Sequence, residues 1–134
     1  MTSTITYSGE LRTEATHTRS GEKIITDAPV DNNGKGEAFS PTDLLATSLG
    51  NCMLTIMGIA ARERDIEMTG TTCSITKIMA AEPRRVSEIH AEVVFPSNYT
   101  EKEKAVLEHA AKTCPVFYSL HPDIKKLVTF KYPL

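Results

Sequence analysis

Apolar and polar residues alternate along the first third of the chain. Thr4–Tyr7, Leu11–Thr18 and Lys23–Thr26 read as strands, with turn signals at Ser8-Gly9 and Ser20-Gly21 between them. A polar loop, DNNGKGE from Asp31 to Glu37, follows. Ser40 then suits a helix N-cap, Pro41 suits the first helical position, and Asp43 completes a capping pattern three residues on. From Leu44 to Ala61 no residue is charged, so the helix is apolar on nearly every face and should be buried on nearly every face. One small domain can hardly enclose such a helix, and a second copy of the chain is its expected cover. Ala46 and Gly50, four apart, would let a partner helix approach closely. The run is near the lower length limit of a membrane span. Its Thr47, Ser48, Gly50, Asn51, Thr55 and Gly58, and the lack of a second such run, argue for a buried helix and against a membrane partner.

Beyond the charged stretch Ala61–Asp65, Thr71–Ala80 and Arg85–Phe95 read as two strands of a hairpin turning at Glu82-Pro83. Cys73, Ile75 and Met79 share one face, as do Ile89, Ala91 and Val93. Thr100 and Glu103 form a capping-box signature that opens a helix through Thr113, with Ala105, Val106 and Ala110 along one side. Cys114-Pro115, a helical turn VFYSL and a last strand Ile124–Tyr132 complete the chain. Strands, helix, strands, helix, strand is an α+β order. The 134 residues suit a single domain, 1–134.

Composition adds exclusions. A net charge of -2, a pI near 6.1 and scattered basic residues give no footprint for nucleic acid or an anionic membrane. The N-terminal stretch has no basic segment leading into an apolar one, so a reducing, cytoplasmic setting is expected. Three cysteines without close spacing do not suit a disulfide framework. His17, His90, His109 and His121 are far apart, no zinc-type spacing occurs, and Gly34–Glu37 lacks the spacing of a phosphate-binding loop.

The cysteines differ in context. Cys52, mid-helix, reads as a core residue unless the fold brings it a positive charge or a second thiol; burial alone would leave it inert. Cys114 precedes Pro115 and so falls at an N-cap, where free amides and the helix dipole favour a thiolate. From local sequence, Cys114 is the more easily ionised of the two. Cys73, on the apolar face of a strand, reads as core.

Two segments carry a resemblance. FSPTDLLATSLGNCMLTIM, Phe39–Met57, closely resembles the central helix of the OsmC/Ohr family (osmotically inducible protein C and organic hydroperoxide resistance proteins), and TCPVFYSL, Thr113–Leu120, resembles its second cysteine motif. The opening stretch from Tyr7 to Pro29 is most similar to the smaller OsmC-like branch. The resemblance implies an intertwined homodimer, two central helices wrapped by mostly antiparallel sheets. It also implies a mechanism: Cys52 attacks a hydroperoxide and becomes a sulfenic acid, and Cys114 resolves it as a disulfide. An external dithiol of the lipoyl type then restores the thiols, with no bound cofactor and no metal. An arginine from the N-terminal strands would hold the thiolate; Arg12 is the candidate and Arg19 the runner-up. A carboxylate would position that arginine. The family places it directly after the helix-opening proline, where this chain has Thr42, so Asp43 is the candidate, with helix capping as its competing role. Two readings of another class stay open: a binder of a small apolar molecule at the dimer interface, and a thiol redox sensor.

Overall fold

The computed structural model describes all residues, 1–134, as an α+β chain. The chain divides into two compact units, Met1–Leu45 and Ala46–Leu134.

The first unit holds strands β1 (Ser3–Gly9), β2 (Arg12–His17) and β3 (Lys23–Asp27) in one antiparallel sheet of that order. Gly9, Glu10 and Leu11 all have positive φ, which lengthens the first turn by two residues beyond the Ser8-Gly9 signal. The second turn, from Thr18 to Glu22, fixes the register Thr16↔Lys23 through Arg12↔Asp27. Ile5, Tyr7 and Ile24 are 65%, 64% and 53% exposed, and the register puts all three on one face of this sheet. A 3-10 turn at Val30–Asn32 and a tight loop lead to the long helix. In that loop a β-carbon on Gly34 would run into the Ala28 carbonyl, so only glycine fits there.

Helix α1 (Pro41–Arg62) begins as the capping pattern anticipates. The Asp43 amide donates to Ser40 Oγ and the Ser40 amide to Asp43 Oδ2, both at 3.0 Å. Within the second unit, Ala46, Leu49, Gly50, Met53, Met57 and Ala61 form one buried stripe at helical spacing. By length and composition α1 could cross a membrane. Its stripe is nevertheless packed into a protein core, as a central helix requires. Asn51, Thr55 and Ile59, on its other side, are exposed, because one copy of the chain covers only one side. Gly50 serves a strand, not a partner helix. A β-carbon there would lie 3.2 Å from Ile75 Cγ1 and Cδ1 and 3.3 Å from Cys73 Sγ.

Strands β4 (Thr72–Ala80), β5 (Arg85–Val94) and β6 (Lys125–Lys131) form the second sheet. β4 and β5 are an antiparallel hairpin, and β6 runs parallel to β5. Val86, Ile89, Ala91 and Val93 are all buried, although 86 and 89 differ by an odd number. A bulge resolves the conflict. Ile78 pairs with Glu88 and Met79 with Val86, leaving Ser87 as the extra residue, its hydroxyl donating to the Ile78 carbonyl at 3.1 Å.

Helix α2 (Glu101–Lys112) connects the parallel pair and starts with the anticipated capping box of Thr100 and Glu103. Its buried residues are Leu107, Ala110 and Ala111; Ala105, expected on the apolar side, is exposed. Phe95 stacks on Tyr132 at 4.8 Å, Lys104 Nζ lies 4.5 Å over the Tyr132 ring, and the Tyr132 hydroxyl donates to Glu108 at 2.7 Å. These contacts fasten α2 to the end of β6. The five-residue α3 (Pro115–Ser119) follows.

Candidate functional site

In the second unit, α1 carries Cys52 and the junction between α2 and α3 carries Cys114. Cys52 lies on the flank of the buried stripe, beside Met53, and is half-buried. Cys114 is fully buried as the N-cap of α3, with Pro115 at the first helical position. The Cys52 side chain is close enough to Cys114 to act on its thiol, and both thiols are free. Chain positions far apart in sequence thus supply two neighbouring thiols, as a reversible disulfide requires.

The N-cap geometry of Cys114 is as anticipated: the Phe117 amide donates to its Sγ at 3.4 Å. Its electrostatic consequence is the reverse of the sequence expectation. Burial pushes the Cys114 thiol above the ordinary range, and the neighbouring Cys52 adds to the rise; the amides of Phe117 and Val116 oppose it without overcoming it. Desolvation of a fully buried sulfur outweighs what one short helical turn offers. Cys114 is therefore a reluctant thiolate. Cys73, half-buried on β4 opposite Val93, is likewise raised by burial, in keeping with a core role.

In the first unit, Arg12 opens β2 and Asp27 closes β3, directly across the ladder. Arg12 Nε donates to Asp27 Oδ1 at 2.7 Å and Nη2 to Oδ2 at 2.8 Å, a bidentate pair. Asp27 is 1% exposed. The Arg12 guanidinium holds the Asp27 carboxyl below the usual carboxylate range against the opposing effect of burial, and Arg12 itself is raised, chiefly by Asp27. Glu37 adds a longer contact, Nη2 to Oε1 at 3.4 Å, and its amide donates to Asp27 Oδ2 at 3.2 Å. The carboxylates in reach of Arg12 are thus Asp27 and Glu37. Asp43, the sequence candidate with helix capping as its competing role, closes the Ser40 capping box; Thr42 contributes its hydroxyl to Ser40 Oγ at 3.2 Å. Arg19 lies exposed in the β2–β3 turn.

Asp27 was missed by sequence reasoning, yet a signal existed. Counting outward from the Ser20-Gly21 turn with Thr16 opposite Lys23 places Arg12 opposite Asp27.

An α+β chain with one three-stranded sheet in each unit and a long helix α1 has counterparts among known proteins. The family described as OsmC-like protein matches residues 34–126, and the chain belongs to that family. A Psychrobacter arcticus crystal structure, provisionally assigned as an osmotic stress induced and detoxification response protein, is 57% identical. It superposes with a TM-score of 0.95 over 97% of this chain and 95% of that one. The organic hydroperoxide resistance protein OsmC of Legionella pneumophila shares the fold at 15% identity, TM-score 0.76, covering 98% and 97% of the two chains. An organic hydroperoxide resistance protein from Elizabethkingia anophelis does so at 16% identity, TM-score 0.73, covering 99% and 97%. A search of curated proteins finds no match.

Proposed function

We propose that this OsmC-family chain is a cysteine-based peroxidase that reduces organic hydroperoxides. The observation that carries the reading is that the Cys52 and Cys114 thiols are near enough to act on each other. Their unequal environments divide the labour. Cys52, half-buried, can meet a small peroxide; Cys114, buried and held protonated, suits the resolving role.

The Cys52 thiolate attacks the outer oxygen of the hydroperoxide. The O–O bond breaks, the sulfur keeps the outer OH as a sulfenic acid, and the departing alkoxide takes from solvent the proton that the thiol released there, leaving as the alcohol. Cys114 then displaces hydroxide from that sulfur, forming the disulfide and water. An external dithiol, lipoyl-type in this reading, reduces the disulfide by exchange and is itself oxidised, so the two electrons given to the peroxide come from the dithiol. No bound cofactor or metal enters the scheme. By its family resemblance, Arg12 is the cation proposed for the Cys52 thiolate. The apolar residues around the pair, among them Met53 and Phe117, favour peroxides with an alkyl group.

The working form in this proposal is a homodimer in a reducing, cytoplasmic compartment. Its support is the uncovered side of α1, with Ile59 52% exposed, and the uncovered apolar residues of the first sheet. The test is turnover of cumene hydroperoxide with dihydrolipoamide as reductant. The protein should turn over, and Cys52→Ser should abolish it. Full turnover by Cys52→Ser would overturn the mechanism.

A further inference from the structure

Helix α3 has five residues and none of them is fully buried, yet it carries the amide that faces the Cys114 sulfur. One tie from α3 to the second sheet runs through Phe117. The Lys126 ammonium lies 5.2 Å from the centre of the Phe117 ring. Lys126 shares a face of β6 with Val128 and Phe130, which pack against the core. The parallel register sets it opposite buried Ile89. Its Nζ is fixed in addition by donating to the Ile124 carbonyl at 3.2 Å. Tyr118 meets the Phe117 ring edge to face, with ring centres 6.3 Å apart. The residue whose ring is held in this way donates its amide to Cys114 Sγ at 3.4 Å. Ring and amide belong to one residue of a single helical turn, so a grip on the ring sets where the amide points. That amide favours the Cys114 thiolate, whereas burial and the neighbouring Cys52 of α1 oppose it.

We propose that Lys126 is a positioning residue for Cys114: its ammonium holds the Phe117 ring and so keeps the Phe117 amide aimed at the Cys114 sulfur. Lys126, Phe117 and Cys114 all belong to the second unit. The relay bears on the chemistry through the proposed resolving role of Cys114, on which this inference rests. The donated bond helps a buried thiol give up its proton as it attacks the Cys52 sulfenic acid.

The test combines two measurements on the reduced full chain, neither of which needs peroxide. One is the pH profile of Cys114 alkylation by iodoacetamide, read on its peptide by mass spectrometry. The other is hydrogen exchange of the Phe117 amide, followed by NMR. Lys126→Met keeps an apolar stem and removes the ammonium. It should raise the Cys114 midpoint by about 0.4 to 0.7 pH unit and speed Phe117 exchange about two- to five-fold, the worth of a cation–π contact. Lys126→Arg should restore both. A midpoint that stays or moves downward overturns the proposal; a downward move would mean that freeing α3 chiefly lets water reach the sulfur. A raised midpoint with unchanged Phe117 exchange overturns it as well, since the ammonium would then act on the sulfur by charge alone. Phe117→Leu separates the same causes and decides should Lys126→Met fail to fold. It keeps the amide and the Lys126 charge but removes the ring. Its midpoint should rise as in Lys126→Met, and a midpoint like the unsubstituted protein's refutes positioning through the ring. A chain that reduces no peroxide would reject the peroxidase reading, while a raised midpoint with faster exchange would still place Lys126 behind Cys114.

Discussion

The Cys114 sulfur accepts the Phe117 amide at 3.4 Å, yet its thiol titrates above the ordinary range. One hydrogen bond at the mouth of a five-residue helix is set against complete removal of the sulfur from water, and removal from water wins. In the proposed mechanism this gives the attacking role to the more accessible Cys52 and the resolving role to Cys114.

A pH dependence of stability follows. A thiol whose pKa is raised by folding keeps its proton where the unfolded chain has lost it. The stabilisation is fully present below the ordinary thiol value of about 8.5 and is lost as pH rises toward the folded value. Cys114 and Cys73 both act in this sense. Urea unfolding under reducing conditions should show stability falling between about pH 8 and 10, and Cys114→Ala should flatten that fall. A profile equally steep in the variant would contradict the assignment.

The Arg12–Asp27 pair has the opposite sign. Asp27 is depressed, so its contribution is present above the unfolded carboxylate value of about 3.9 and is lost as pH falls through the folded value. Asp27 is the buried member, and Arg12 is 30% exposed at its side chain. Arg12→Met should therefore destabilise more than Asp27→Asn, since it leaves a buried carboxylate unpaired. The deficit of Arg12→Met should narrow between pH 7 and pH 4, as that carboxylate takes up a proton. Melting curves at both pH values check this; a deficit that widens toward pH 4 would refute it.

Gly50 separates two accounts of α1. If the glycine exists for the close approach of Ile75 and Cys73, then Gly50→Leu overpacks the chain's own core and should cost about 2 kcal/mol or more in urea unfolding. A variant as stable as the parent but monomeric would place Gly50 against a partner helix instead.

Thr100→Ala removes the side-chain half of the α2 capping box, the bond from the Glu103 amide at 3.1 Å. It should cost about 1 kcal/mol by urea unfolding without altering thiol reactivity. An altered Cys52 alkylation profile would show that the start of α2 is coupled to the thiol pair.

Most of the fold could be read from residues with strong local preferences. Ser40-Pro41 and Thr100–Glu103 mark two helix starts because the capping side chains lie within four residues of the amides they satisfy. Cys114-Pro115 marks the third in the same way. The parallel docking of β6 on β5 could not be read, since a partner strand reached through a helix leaves no local trace. The Ser87 bulge was equally hidden, although Val86 and Ile89 fall out of phase for one sheet face. Of the candidate residues, Cys52, Cys114 and Arg12 came from motif and position. The carboxylate on Arg12 did not, because it is set by the register of a neighbouring strand. The raised thiol of Cys114 was misjudged for a related reason: capping is local, whereas burial sums over the whole core.

The central claim is that Cys52 and Cys114 form one redox pair. Its most direct measurement treats the reduced protein with one equivalent of cumene hydroperoxide, alkylates remaining thiols, and maps the peptides by mass spectrometry. The account predicts the peptides bearing Cys52 and Cys114 joined with the loss of two hydrogens, and Cys73 recovered as its alkylated thiol. Recovery of Cys52 as an unoxidised, alkylated thiol, or a disulfide that engages Cys73 in place of Cys114, would contradict it.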